Sequence, residues 1–245
     1  MLESVGVTPL EQQQLRVARE TGDTFWHRVR FRLVGAAVRR AEADTVLDIG
    51  AGSGHLGTWL AAHLPDVRYR FDEMSPVLDA ALVEHFGPDG RAATGEPIPR
   101  TTMVTMLDVL EHIDDDQGVL RGISARMAPG GQLLLTVPAL QWAFTWWDTS
   151  LGHHRRYSRR QVHALAAAAG LDVTSSSYLF PELLPLVMLR KLQRGQHGAA
   201  DFPPVPRLVD RSAELVCRAS AGLRRVWPAG TSVIAVLTKP EGSRS

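Results

Sequence analysis

Among 245 residues there is one cysteine, Cys217, so no disulfide can close within the chain and no cysteine spacing suggests a zinc site. The first fifteen residues hold no basic segment followed by an apolar run, which argues against a cleaved secretory signal. No apolar stretch reaches the roughly 20 residues that a bilayer-spanning helix needs. The formal net charge is only +1, without the basic excess of a dedicated nucleic-acid binder. Internal repeats and low-complexity tracts are missing too. These absences point to a cytoplasmic protein in a reducing compartment, without a transmembrane segment or a nucleic-acid partner. What remains is 44% hydrophobic and 22% charged, ordinary for a folded soluble enzyme of one elaborated domain or two small ones.

Apolar spacing supplies the elements. From Thr24, the positions Phe25, Val29, Leu33 and Ala36 recur at helical steps, and Arg28, Arg30, Arg32, Arg39 and Arg40 read as a solvated basic face. The period then changes to short buried-strand runs at 45–49, 67–71, 91–94, 102–107, 133–137, 171–178 and 231–238. Helical stretches fall between them at 54–64, 76–86, 115–127 and 158–169. Strands alternating with helices at this spacing imply a parallel sheet covered on both faces. The less regular segment 179–230 reads as a helix near 182–194, a proline-rich loop at 203–206 and a helix near 208–225.

The sharpest local signal is Asp48-Ile49-Gly50-Ala51-Gly52-Ser53-Gly54, set between the first strand and the first helix after it. Glycines there permit a tight turn and let a ligand approach the backbone. Nicotinamide, flavin and S-adenosylmethionine (SAM) proteins all use such a loop. Here the spacing is G-x-G-x-G, not G-x-G-x-x-G, and Asp48 precedes it where a carboxylate could face a cofactor amine. Asp72, about twenty residues on, is placed to accept hydrogen bonds from both ribose hydroxyls.

VLDIGAGSG resembles motif I of the class I SAM-dependent methyltransferases, and LDVLEHIDDD (107–116) with MAPGGQLLLTVPA (127–139) resembles the signature that follows it. The pattern D-x-x-x-G-H-x-R-R-Y, at Asp148, Gly152, His153, Arg155, Arg156 and Tyr157, and the N-terminal TFWHRVRFR resemble a narrower bacterial subgroup. The resemblance implies a Rossmann-like, doubly wound, mostly parallel seven-stranded sheet with helices on both faces and an antiparallel C-terminal strand. It also implies SAM as cofactor and S-adenosylhomocysteine as product. Asp48, Gly50, Ala51, Gly52 and Gly54 would surround the methionine end, Asp72 the ribose, and Glu73 and Met74 the adenine. Leu107 and Asp108 would lie beside the cofactor at the end of the fourth strand, with Asp108, Glu111 and His112 on the first turn of the helix after it, His112 also near the cofactor. Glu96 is a weak substitute for the acid that often meets the adenine amine.

A single domain over 1–245 is expected, with a helical extension at 1–43 and insertions at 139–170 and 179–230 forming the acceptor site or a lid. Open α/β sheets bind ligands outside the carboxyl ends of their strands. Trp142 and Trp146 could therefore wall an acceptor pocket, and Arg155 and Arg156 could hold an anionic substrate group. His153, His154, Tyr157 and His112 are the candidates for removing a proton from the acceptor, and the 153–157 cluster is favoured because it lies in the insertion after the fifth strand. His153 and His154 have no third ligand at metal spacing, so no metal is expected. The apolar run PELLPLVMLRKLQR (181–194) suits a lid, a homodimer contact or a peripheral membrane contact. The expected activity is methyl transfer from SAM to a small-molecule, glycan or lipid-linked acceptor. The alternatives are a SAM-binding protein that does not methylate, or a nicotinamide-dependent oxidoreductase.

Overall fold

The computed structural model describes residues 24–192 and 206–241. Six strands, β1 (Thr45–Ile49), β2 (Arg68–Asp72), β3 (Thr102–Leu107), β4 (Gln132–Pro138), β5 (Asp172–Leu179) and β6 (Ser232–Thr238), form a sheet in the order β2-β1-β3-β4-β6-β5. β1 pairs in parallel with β2 and β3, and β3 with β4. β6 runs antiparallel between β4 and β5. The expected fold class is therefore present, with six strands among the described residues instead of seven. The missing strand, at 91–94, is reduced to a parallel bridge between Phe71 and Arg91 and a backbone bond from Ala92 to Phe71. A 3-10 turn at Pro88–Gly90 precedes it, and Gly95, Pro97 and Pro99 follow. Prolines offer no ladder donor, so too few consecutive residues are left to pair.

Eight helices are described: α1 (Phe25–Arg40), α2 (His55–His63), α3 (Pro76–Phe86), α4 (Asp116–Arg126), α5 (Trp146–Ser150), α6 (Arg159–Ala168), α7 (Leu184–Leu192) and α8 (Arg207–Gly222). Local chemistry starts several of them. Ser75 caps α3, with Pro76 at the first helical position, where its missing N–H costs nothing. Ser158 and Gln161 form a reciprocal capping box on α6. Residues 108–112 do not open a helix as expected; a 3-10 turn, Leu110–His112, stands there, and α4 begins only at Asp116, capped by Asp115. Residues 193, 194 and 203–205, part of the expected second helix and proline-rich loop, lie outside the described residues, as do 1–23 of the N-terminal extension.

Strand side chains alternate between two faces, and each face has its own core. Val46, Met103 and Leu134 pack with Val34 and Val38 of α1, Leu60 of α2, and Cys217 and Ala221 of α8. Leu47, Val104, Leu133 and Leu135 pack with Leu120 and Ile123 of α4 and Val162 and Ala166 of α6. Burying each of the valine, leucine, isoleucine and methionine side chains among them stabilises the fold by about 1.5–3 kcal/mol before entropy is counted. α1 and α8 are also joined by charge: Arg28 pairs with Asp210 and, at 2.7 Å, with Glu214. The basic face expected on α1 is thus solvated only at Arg32, Arg39 and Arg40. Arg30 is 8% exposed and reaches under the sheet's carboxyl end.

Candidate functional site

The strand order reverses between β1 and β3, which opens a crevice at their carboxyl ends, and the glycine loop sits at its mouth. Gly50 and Gly52 both have positive φ, 69° and 58°, where side chains are strained. A Cβ on Gly50 would meet Val109 Cγ2 at 2.7 Å, whereas one on Gly52 would have nothing within 4 Å. The loop is thus wedged against residue 109 on one side and open at Gly52. The Gly52 N–H donates to Glu73 Oε2 at 2.8 Å, and Ser75 N–H donates to Glu73 Oε1 at 2.9 Å. Asp72, expected to hold the ribose, contributes only its backbone carbonyl to the loop, accepting from Gly50 N–H at 2.8 Å. The reason is strand alternation: Tyr69 and Phe71 share one face, and Glu73 continues it beyond the strand end, with Asp72 pointing the other way. Met74 is 87% exposed beside it.

Beneath the loop, Asp48 is 3% exposed and accepts from Thr105 Oγ1 at 2.7 Å and Tyr69 Oη at 3.0 Å. Burial pushes its carboxyl up to about 6, against the pull of the two hydroxyl donors. Leu107 ends β3, and Asp108 follows with φ of 57°, an uncommon conformation that Asp tolerates better than most residues. The Asp108 carboxylate pairs with Arg30 and accepts from Thr136 Oγ1 at 3.0 Å. Arg30 was not expected at the site; its burial behind the helical stripe of α1 is a tertiary fact with no mark in the spacing. Glu96, the candidate for the adenine amine, is held by Arg70 and by Ala93 N–H at 3.1 Å.

The segment after β4 folds back over the end of β3 and is tied together by Asp148. This residue is fully buried; Arg156 donates to it through Nε at 2.7 Å and Nη2 at 3.0 Å, and Thr145 N–H donates at 2.9 Å. His153 Nδ1 lies 3.1 Å from Oδ1, the oxygen that also accepts from Arg156 Nε. The two arginines expected to hold an anionic substrate are therefore engaged already: Arg156 by Asp148, and Arg155 by Asp116 at 3.1 Å. Tyr157, expected as a proton acceptor, is 2% exposed, and its hydroxyl donates toward Leu110 O at 3.1 Å and Asp116 Oδ2 at 2.8 Å. Burial and the Asp116 hydrogen bond push its hydroxyl's pKa well up. Its side chain packs in the core under the 110–116 turn, away from any open space.

His153 instead turns toward His112, the rings meeting edge to face at 4.7 Å. Glu111 completes a cluster: one ligand-type atom from each of Glu111, His112 and His153 lies within 4.8 Å of the other two. Glu111 is fully buried, and burial together with the Asp108 charge pushes its carboxyl well up. Burial and the neighbouring His153 charge push His112 down to about 4. The sequence offered no third ligand beside His153 and His154; the fold brings two from the β3 end. His154 is more exposed, with Nδ1 3.2 Å from Asp114 Oδ1, and its N–H donates to Glu111 O at 2.7 Å. Trp142 is half exposed, with Lys191 of α7 over its ring at 5.6 Å, and Trp146 stacks edge-on against Trp147.

A family model described as a methyltransferase domain matches residues 22–176, well over half of the chain. No curated protein matches it. Among solved structures it is similar to an Archaeoglobus fulgidus SAM-dependent methyltransferase, at 15% identity and TM-score 0.55, covering 92% of this chain and 98% of that one. It is also similar to the [4+2]-cyclase SpnF, at 16% identity and TM-score 0.57, covering 95% and 94%. Haemonchus contortus phosphoethanolamine N-methyltransferase 2, solved with SAM, aligns at 18% identity and TM-score 0.51, over 81% of this chain and 49% of its own. Such low identities speak for the fold alone; the family match speaks for the chemistry. This chain belongs to the methyltransferase-domain family, and with it to the class I SAM-dependent methyltransferases.

Proposed function

We propose that the protein transfers the methyl group of SAM to a small-molecule, glycan or lipid-linked acceptor held between the glycine loop and the histidine loop, within one catalytic domain. The carrying observation is the position of residues 108–112 between the two: Val109 abuts Gly50, and Glu111 O accepts from His154 N–H. In this reading the open side of Gly52 takes the cofactor, and Glu73, with Asp72 in a lesser part, binds the ribose. Asp48, Gly50, Ala51 and Gly54 shape the methionine end, Met74 borders the adenine, and Leu107, Asp108 and His112 line the methyl side. The sulfonium brings its own leaving group, so much of the acceleration comes from holding the nucleophile in line with the methyl carbon. His153, where its Nε2 is free, or else His154, takes the acceptor's proton, in preference to the Tyr157 hydroxyl, which Leu110 O and Asp116 engage. The segments 139–170 and 179–230, with Trp142 and Trp146, wall the acceptor side.

The test is incubation of the protein with methyl-labelled SAM and fractionated small-molecule extract, followed by mass spectrometry. S-adenosylhomocysteine and a labelled product are expected together. SAM binding without S-adenosylhomocysteine from any acceptor fraction would favour a non-methylating SAM-fold protein. NADH binding where SAM does not bind would overturn both.

A further inference from the structure

We propose that Glu111, His112 and His153 bind one divalent transition-metal ion of the zinc, cobalt, iron or manganese class, and that its open coordination positions take an oxygen of the methyl acceptor. The second half rests on the methyltransferase reading; the first half does not. The three side chains each bring a ligand-type atom within 4.8 Å of the others, a spread that small side-chain rotations would close to the roughly 3.4 Å between ligand atoms of a tetrahedral ion. Neither carboxylate oxygen of Glu111 has a hydrogen-bond partner among the described residues, although the side chain is fully buried. A carboxylate so placed needs either a proton or a cation.

The histidines are held as ligands are held. His153 Nδ1 is engaged by Asp148, itself clamped by Arg156, which leaves Nε2 as the free donor. The His112 ring meets the His153 ring edge to face at 4.7 Å, so the two imidazoles stand side by side in the cluster. The loop carrying His153 is pinned on both sides: His153 N–H donates to Asp148 O at 2.9 Å and His154 N–H to Glu111 O at 2.7 Å. Two imidazoles and one carboxylate suit borderline first-row ions better than magnesium or calcium, which prefer all-oxygen shells. Three protein ligands leave room for water or substrate oxygen, and an ion there would lower the pKa of a bound hydroxyl, preparing it as a nucleophile; with His153 Nε2 on the ion, His154 is the histidine left to take the proton.

The experiment titrates chelator-stripped full-length protein with Co2+ and with Zn2+, following Co2+ visible absorption and calorimetric heat, with no SAM present. One equivalent per chain is expected, with affinity falling at least about tenfold in Glu111→Gln and in His153→Asn whose circular dichroism matches the wild type. If Glu111→Gln fails to fold, His153→Asn alone decides. No stoichiometric Co2+ or Zn2+ binding, or equal binding by wild type and folded variant, overturns the site. SAM binding is measured in parallel: SAM bound without metal removes this inference and leaves the methyltransferase reading intact, whereas metal bound without SAM removes the acceptor half alone.

Discussion

Glu73 holds the Gly52 N–H through one carboxylate oxygen, and a ribose laid over the open side of Gly52 would meet that same carboxylate. Hydrogen bonds to a charged acceptor contribute about 1.5–3 kcal/mol each. Calorimetry should therefore show SAM affinity down at least about tenfold in Glu73→Ala, with a smaller loss in Asp72→Ala; the reverse order would return the ribose to Asp72. Asp48 makes a second prediction. Its folded pKa, about 6, lies above the ordinary 3.8, so the folded state binds its proton more tightly than the unfolded chain does. That contribution is fully present below pH 3.8 and is lost as pH rises through 6. Asn cannot titrate, so the stability of wild type relative to Asp48→Asn should fall by roughly 3 kcal/mol between those limits. Urea unfolding of both proteins across that range measures the difference, and a flat difference would contradict the buried carboxyl's environment.

At the scale of elements, the turn Leu110–His112 and helix α4 are joined to the segment after β4 by the Tyr157 hydroxyl. Tyr157→Phe should cost about 1–3 kcal/mol of unfolding free energy, because Leu110 O and Asp116 lose a buried donor. SAM affinity should stay within twofold or so, and turnover should not drop by the roughly hundredfold expected of a lost general base. A hundredfold loss with unchanged stability would restore Tyr157 to the chemistry. Helix α1 acts in the same manner from the other face, since Arg30 lies against Asp108 while Arg28 is clamped by α8. Arg30→Met would leave the partly exposed Asp108 carboxylate without its cation, and because solvent and Thr136 still reach it the loss is about 1–2 kcal/mol. Thermal unfolding should register that loss, and a variant as stable as wild type would show that the pair contributes nothing.

Across the whole molecule, the sheet's carboxyl edge is approached by α1 from one side, by the 139–157 loops above, and by α7 beyond them. Lys191 of α7 donates to the Trp142 carbonyl and stands over its ring, coupling that helix to the loop after β4. Leu186, Met188 and Leu189 on α7 are about half exposed, and no described helix is long and apolar enough to cross a membrane. If 179–230 closes over the acceptor, backbone exchange at 184–192 should slow when SAM and acceptor are both bound, at every protein concentration. Protection that vanishes on dilution would assign α7 to a contact between two copies.

The alternation of apolar runs with helical stretches was enough to foresee a parallel sheet, and the glycine loop was legible because positive φ and close approach demand glycine whatever surrounds it. The antiparallel C-terminal strand was reached through resemblance, since spacing alone says nothing of strand direction. Strand count was misread at 91–94, where short apolar content looked like a strand but flanking turns and prolines left little ladder to form. The choice between Asp72 and Glu73 for the ribose hangs on which face of β2 meets the loop, a matter of register that shifts by one residue and that the two alanine variants test. Motif letters at 148–157 were equally visible, yet their meaning was not. Arg156 and Tyr157 resembled substrate and catalytic groups by type; the folding of the loop on itself engages Arg156 with Asp148, and long-range packing engages Tyr157 with Asp116. Glu111 and His153 stand 42 positions apart, and their meeting depends on the order of strands in the sheet. Local sequence determined the loop and the elements because those depend on neighbours in the chain; the tertiary fold decided the site because its side chains are neighbours only in space.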